Sequence, residues 1–412
     1  MDTIVERGCG LDVHKASVAA CVRTPGPGGR RVKETRPFGT TTAELLALRE
    51  WLEARGVTHV AMEATGVYWK PVYYVLEERF HVLLVNAAHI KNVPGRKTDV
   101  LDCEWIAELL EHGLLRGSFV PPRPIRELRD LTRARTALIQ DRTREVNRVH
   151  KVLEDAGIKL AGVATDILGV SGRAMIEALI AGVTDPAVLA ELARGRLRKK
   201  RAALQAALTG RFRAHHAFLL TQALRHLDCL DQAIAAYTAR IGELIQPFAA
   251  SVARWDSIPG VDRRVAEVAV AEVGPDLAPF PSARHLASWA GLCPGNHESA
   301  GKRKRGTTRK GNRYLRAALV QAAHAAARTK DCALAARFHR LARTRGVKRA
   351  AVAVGHEILR LGYYLHAHDT TYRELGADYF VRRDKDRLVR RYCRQLERLG
   401  QRVTLEPAPM VA

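Results

Sequence analysis

Residues 121–124 read Pro121-Pro122-Arg123-Pro124, and the pattern of the chain changes across them. Three prolines in four positions remove backbone donors, so neither a strand nor a helix runs through the break. Before it, short apolar runs alternate with helical spacing. Gly8–Val13 and Ala16–Val22 read as two strands joined by a tight turn at His14-Lys15, and Arg31–Phe38 reads as a third. Thr40-Thr41-Thr42 caps a helix carrying Leu45, Leu48 and Leu52, which stops before Gly56. Val57–Met62 reads as a short buried strand, Tyr68–Glu78 as a helix and His81–Val85 as another buried strand. Thr98 suits the N-cap of a helix running to His112, with Gly113 just past its end. Strands alternating with helices predict a mixed sheet with helices packed on it.

After the break the periodicity is helical. Residues 125–156 place Leu128, Leu131, Leu138, Val146, Val149 and Leu153 on one side. Residues 212–248 repeat Phe212, Leu219, Ala223, Leu227, Leu230, Ile234, Tyr237, Ile241, Leu244 and Phe248 at spacings of a coiled-coil seam with one skip. That seam serves either an intramolecular hairpin or a dimer. Further helices are expected near 262–273, 282–290, 312–329, 333–344 and 347–366. The expected domains are an α/β domain over 1–120, a helical coiled-coil assembly segment over 121–248, a mostly α-helical domain over 249–368 and a basic tail over 369–412.

Charge is unevenly placed. The chain of 412 residues carries 67 Lys+Arg against 43 Asp+Glu, a formal +24. Residues 1–120 are neutral, with 15 of each sign, whereas residues 301–350 hold 16 Lys+Arg and a single acid, Asp331. A field of one sign is the footprint of a polyanionic partner, nucleic acid above all. A second run, Arg194–Arg201, places six Lys/Arg in eight residues and suits a structured RNA. The seven Cys are scattered without any C-x-x-C pair, which excludes a disulfide framework and fits a reducing cytoplasm. Met1–Glu6 lacks a signal-peptide layout, and no uncharged stretch approaches the roughly 18–20 residues that span a bilayer. The expectation is a cytoplasmic, nucleoid-associated protein with no membrane partner.

Three constellations carry chemistry. Asp12 interrupts an otherwise apolar strand, where a carboxylate is costly unless it is paired or holds a metal. Glu63 follows the Val57–Met62 strand at once, the place where open α/β sheets put their sites. Asp99 and Asp102 lie three apart at a helix start and share a face. Four converging carboxylates suit hard cations, Mg²⁺ or Mn²⁺. Next, Ser257-Ile258-Pro259-Gly260-Val261 reads as the turn of a helix-hairpin-helix, with Gly260 placed to meet a phosphate. Last, residues 291–316 form a loop rich in Gly and cations around Ser299, with Lys302, Arg303, Lys304, Arg305, Arg309, Lys310 and Arg313 set to bind nucleic acid. A P-loop is excluded, because Gly295 and Gly301 enclose five residues and Lys302 precedes Arg303. A zincin is excluded as well, since His356-Glu357-Ile358-Leu359-Arg360 lacks the second His.

In this order the pieces resemble the DEDD transposases of bacterial insertion sequences, the IS one-ten family. The resemblance rests on G-L-D-V-H-K at 10–15, M-E-A-T-G-V-Y-W at 62–69 and G-R-K-T-D-V-L-D at 95–102. It continues through I-P-G-V at 258–261, W-A-G-L-C-P-G at 289–295, S-A-G-K at 299–302 and R-K-G-N-R-Y-L-R at 309–316. It implies a RuvC-like (ribonuclease H-like) N-terminal domain whose metal-binding acids fall on Asp12, Glu63, Asp99 and Asp102, and a nucleophile that falls on Ser299. It further implies strand cleavage and exchange on donor and target DNA through a covalent phosphoserine, guided by a structured noncoding RNA. Dimers pairing into tetramers, with composite catalytic sites, belong to the same implication. Ala300 stands where the family commonly has Gly.

Two other readings compete. A RuvC-like Holliday-junction resolvase or nuclease would use the acids with activated water and leave Ser299 idle. A non-enzymatic nucleic-acid-binding protein would account for the charge but not for four carboxylates in a neutral domain.

Overall fold

The computed structural model describes residues 3–86, 102–295, 298–299, 301–303, 307–308 and 310–406. The chain forms two compact units, Met1–Val120 and Pro121–Ala412.

In the first unit β1 (Gly8–Val13), β2 (Ser17–Pro25) and β3 (Arg31–Gly39) run antiparallel. Then follow α1 (Thr42–Ala54), β4 (His59–Glu63), α2 (Trp69–Leu76), β5 (His81–Val85) and α3 (Asp102–Glu111). The sheet order is β3-β2-β1-β4-β5, with β4 parallel to both β1 and β5. The N-cap of α1 is Thr41, whose side chain accepts from Glu44 N, as the threonine run predicts.

Alternation along β1 and β4 sorts their side chains to two faces. Cys9, Leu11, Val60 and Met62 join Leu45, Leu48, Leu52, Val72 and Leu76 in one core under α1 and α2. The opposite face carries Gly10 and Ala61 and is covered by α3, whose Trp105, Ile106, Leu109 and Leu110 pack there. A Cβ at Gly10 would lie 2.2 Å from Cys103 O and 2.3 Å from Ala107 N, so only glycine lets α3 approach this closely. Salt bridges fasten the helix: Glu111, 2% exposed, meets Arg23 at 2.5 Å and Arg31 at 3.1 Å, and Glu104 meets Lys33 at 2.8 Å.

The strands that differ most from the sequence expectation are β2 and β4. β2 runs on to Pro25 because Thr24 and Pro25 still pair with Val32 and Arg31. β4 begins at His59 and includes Glu63, held in register against Val85 of β5. Thr98 lies outside the described residues.

The second unit opens with α4 (Arg123–Asp155), which carries Pro124 in its first turn, where a missing donor costs nothing. There follow α5 (Val170–Ile180), α6 (Pro186–Glu191), α7 (Arg201–Leu208) and α8 (Ala214–Leu244). Helices α4 and α8 pack against each other within the chain. The expected stripe on α8 holds for Ala223, Leu227, Leu230, Ile234 and Ile241, all buried. Leu219 departs from it. It is 47% exposed, while Leu220 and Leu224 are buried with Met175 and Ile176, because α5 packs on that side.

The rest comprises α9 (Ala249–Asp256), α10 (Arg263–Val273), α11 (Ala283–Trp289), the hairpin β6 (Glu298–Ser299) and β7 (Lys302–Arg303), α12 (Arg313–Ala326), α13 (Ala333–Arg345) and α14 (Val347–Ala367). The segment read as a basic tail holds two helices, α15 (Tyr379–Arg383) and α16 (Lys385–Arg398). Among the described residues no helix is long and apolar enough to cross a membrane.

Candidate active site

Register brings two of the acids together. β1 pairs with β4 through Leu11 and Met62, so Asp12 and Glu63 are the next residues along two adjacent parallel strands, on the face that α3 covers. Both are half-buried. The Asp12 carboxylate lies 3.1 Å from His14 Nε2, and Glu63 forms no ion pair with a described residue. Asp102 is exposed and opens α3, where the helix dipole favours an anion. The next residue, Cys103, touches the sheet at Gly10, two positions before Asp12 on the same face. The Asp12 charge is felt at the Cys103 thiol, which burial, ahead of the charges of Cys21, Glu104 and Asp12, pushes up to about 12. Asp99 lies outside the described residues. The donor set is all carboxylate, which fits a hard divalent cation.

Among the described residues the ligand atoms of one His/Cys/Asp/Glu trio, Asp155, His215 and His216, all lie within 4.8 Å of one another. Two of the three, Asp155 and His216, already serve a structural role. His216 Nδ1 accepts from Arg213 N at 3.0 Å at the start of α8, and its Nε2 lies 3.0 Å from Asp155 Oδ2. Both ring nitrogens are therefore committed, Nδ1 to capping the start of α8 and Nε2 to holding α8 against α4.

The serine lies in the second unit, on a loop closed at its base. Gly295 N donates to Thr307 O at 2.8 Å, Pro294 bridges Thr308, and a Cβ at Gly311 would lie 2.4 Å from Gly291 N. Within this loop Ser299 pairs with Lys302 and Glu298 with Arg303 across β6 and β7. Gly301 turns the hairpin with a φ of +71°. Lys302 and Arg303 are thus placed by their backbone, while Lys304, Arg305 and Arg309 lie outside the described residues. Lys310 and Arg313 are exposed, and the Arg313 guanidinium lies 4.8 Å from the Tyr314 ring centre.

Gly260 ends the turn between α9 and α10 with a φ of +85°, and a Cβ there would lie 2.3 Å from Ala322 O. Its glycine is required by packing on α12. Asp262 then caps α10 by accepting from Val265 N at 2.8 Å.

Sequence reasoning missed the ionic support beneath the serine loop. Glu272 is fully buried, and its carboxylate accepts from Arg133 at 2.6 and 2.8 Å and from Asn312 Nδ2 at 2.6 Å. Asn312 Oδ1 in turn accepts from Tyr314 N and Leu315 N, capping α12 where the loop ends. Arg135 and Glu267, nearly fully buried, meet at 2.8 Å beside it. Burial, partly offset by Glu272, lowers Arg129 to about 10. The one sequence signal was two glutamates in an otherwise apolar helix, Val265–Val273.

Comparison with known proteins matches two segments. Residues 9–158 fit the model of the IS110-type DEDD transposases, and residues 253–340 fit the transposase model of the IS116/IS110/IS902 family. A probable family 20 transposase of Pseudomonas aeruginosa is 28% identical over 76% of this chain and 85% of its own length. The transposase for insertion sequence element IS1111A of Coxiella burnetii is 27% identical over 70% of this chain and 72% of its own length. A putative transposase of Sinorhizobium fredii is 28% identical over 79% of this chain and 77% of its own length.

Proposed function

The chain belongs to the IS110-type insertion-sequence transposases, a family that cleaves and recombines DNA, and on that premise we propose that Ser299 is the nucleophile of its strand cleavage. The serine Oγ attacks the scissile phosphorus. An Oγ–P bond forms as the bond to the leaving deoxyribose oxygen breaks, and that oxygen takes up a proton. The intermediate is a phosphoserine, and attack by another strand's hydroxyl completes exchange and frees Ser299. The cations of the 302–313 loop offset the charge that builds on the phosphoryl oxygens.

Asp12, Glu63, Asp99 and Asp102 would hold Mg²⁺ or Mn²⁺, which when bound supplies Lewis-acid stabilisation of a phosphoryl oxygen. The observation that carries this reading is the side-by-side register of Asp12 and Glu63 at the C-terminal ends of β1 and β4. The sheet order β3-β2-β1-β4-β5, with three antiparallel strands followed by two parallel ones, supports a RuvC-like, ribonuclease H-like domain. A structured guide RNA is a further part of the proposal, supported by the six Lys/Arg of Arg194–Arg201. So is a homodimer that pairs into a tetramer.

The test is a denaturing gel for protein covalently joined to cleaved DNA, followed by mass spectrometry of the nucleotide-bearing peptide. Attachment at Ser299 is expected, and loss of the adduct in Ser299→Ala with DNA binding retained. Attachment at Thr307, Thr308 or Ser288 would move the nucleophile. Cleavage without any adduct would favour the resolvase that uses water.

A further inference from the structure

A cleft of about 840 Å³ opens in the second unit, lined by α12, α13, α14 and the base of the serine loop. Its apolar lining comes from Leu292, Leu341, Val352 and Ala353. Its charge comes from Arg337, which pairs with Glu357 at 3.5 Å, and from Arg316, Arg345, Lys348 and Arg349, none of which forms an ion pair with a described residue. Gly346, with a φ of +81°, turns the chain between α13 and α14 and so puts Arg345 on one helix and Lys348 and Arg349 on the other. Thr307 and Thr308 complete the wall, and they are the residues that pair with Gly295 and Pro294 to close the loop carrying Ser299.

Two properties of this cleft must be explained together. Unpaired cations recognise phosphate, but phosphate contacts need no apolar floor. An apolar floor recognises a base, yet a base inside a duplex presents only its edges. One ligand has a phosphate for the cations, an apolar face for the floor and a size within the roughly 300–1,000 Å³ of ligand pockets. That ligand is a nucleotide whose base has left the stack.

We propose that the cleft receives an unpaired nucleotide of the DNA strand, its base over Leu292, Leu341, Val352 and Ala353 and its phosphates on Arg316, Arg345, Lys348 and Arg349. The inference rests on the proposed reading of the loop as the strand-cleaving element, since the shared wall at Thr307 and Thr308 sets the nucleotide beside that loop. Unstacking costs a few kcal/mol, least where the base is already unpaired, so bulged DNA is the preferred ligand. DNA is favoured over RNA because the cleft adjoins the serine hairpin.

The experiment uses the full chain and a short DNA duplex of mixed sequence with one bulged 2-aminopurine. The cleft lining has no tryptophan, tyrosine or phenylalanine to quench the probe. Binding is therefore expected to raise its fluorescence, and bulged DNA, which avoids part of the unstacking cost, to bind about tenfold tighter than the fully paired duplex. Ala353→Trp fills the floor and should abolish the preference for bulged DNA while leaving the paired duplex bound, affinity being the readout because the new indole would itself quench the probe. Ala353→Leu, a gentler filling, should reduce the preference and the fluorescence rise in proportion. Replacing Arg345, Lys348 and Arg349 together by Ala should weaken both DNAs and flatten the salt dependence. Equal affinity for bulged and paired DNA, an unchanged preference in a folded Ala353→Trp, or tighter binding of an RNA bulge would overturn the proposal. The Ser299→Ala variant should keep the full fluorescence rise. A rise that survives while the covalent adduct proves absent would sink the nucleophile reading alone.

Discussion

Glu272 Oε2 accepts a 2.6 Å hydrogen bond from Asn312 Nδ2, joining a fully buried carboxylate of α10 to the residue that caps α12. The same carboxylate is bidentate to Arg133 of α4, whose guanidinium also lies 4.8 Å from the Tyr314 ring centre. The end of the serine loop is therefore anchored to two helices through one glutamate. Asn312 completes the anchor by spending its oxygen on the helix and its nitrogen on Glu272.

Removing Glu272 takes away the fully buried carboxylate that faces the part-buried guanidinium groups of Arg129 and Arg133. Glu272→Ala is expected to cost about 3–5 kcal/mol, the range for breaking a buried pair. Asn312→Ala removes a cap and should cost about 1 kcal/mol. Denaturant titration checks both, and near-equal losses would mean that the carboxylate is not the anchor.

At Gly10 a methyl group meets the backbone of α3. Gly10→Ala should destabilise the first unit by about 1–3 kcal/mol and shift the start of α3 away from Asp12. Cleavage activity should fall further than the loss of folded protein explains. A wild-type melting curve together with wild-type activity would refute the close approach.

Chelation and carboxylate removal should act alike. EDTA, Asp12→Ala, Glu63→Ala and Asp102→Ala are each expected to abolish strand cleavage while circular dichroism stays unchanged, with Mg²⁺ or Mn²⁺ restoring the chelated wild type. Full recombination in EDTA would remove the metal from the proposal.

The buried thiols give a pH test. Burial is the first cause that raises Cys9 and Cys21 above the ordinary value of 9.0 and takes Cys103 to about 12. Brief alkylation near neutral pH should label exposed Cys229 and spare these three. Because the folded pKa values are raised, the unfolded chain ionises first. Stability is then complete below about pH 9 and falls as pH rises toward about 12, read as a falling melting temperature. Labelling of Cys103 at the rate of Cys229 would contradict the burial.

Electrostatics should dominate nucleic-acid binding. Affinity is expected to fall by about 10³–10⁵ between 50 and 200 mM salt if 6–10 phosphates are contacted. Charge reversal within Arg194–Arg201 should weaken structured RNA more than DNA. Binding that ignores ionic strength would count against both patches.

The sequence by itself determined what is local. The alternation in Gly8–Val13 placed Asp12 opposite Leu11, the threonine run capped α1, and the proline break divided α/β from helical pattern. These depend on neighbours a few residues apart, where backbone geometry and capping act. Only the tertiary structure decided which distant residues meet. The β1–β4 register set Asp12 beside Glu63, 51 positions on, since strand pairing rather than composition fixes that alignment. Packing of α5 turned Leu220 inward in place of Leu219, one residue from where a regular seam would bury it. Most of all, Glu272, one of two glutamates in an otherwise apolar helix, is buried because Arg133 and Asn312 converge on it. A buried carboxylate is tolerable only when partners replace its water, and those partners came from other helices.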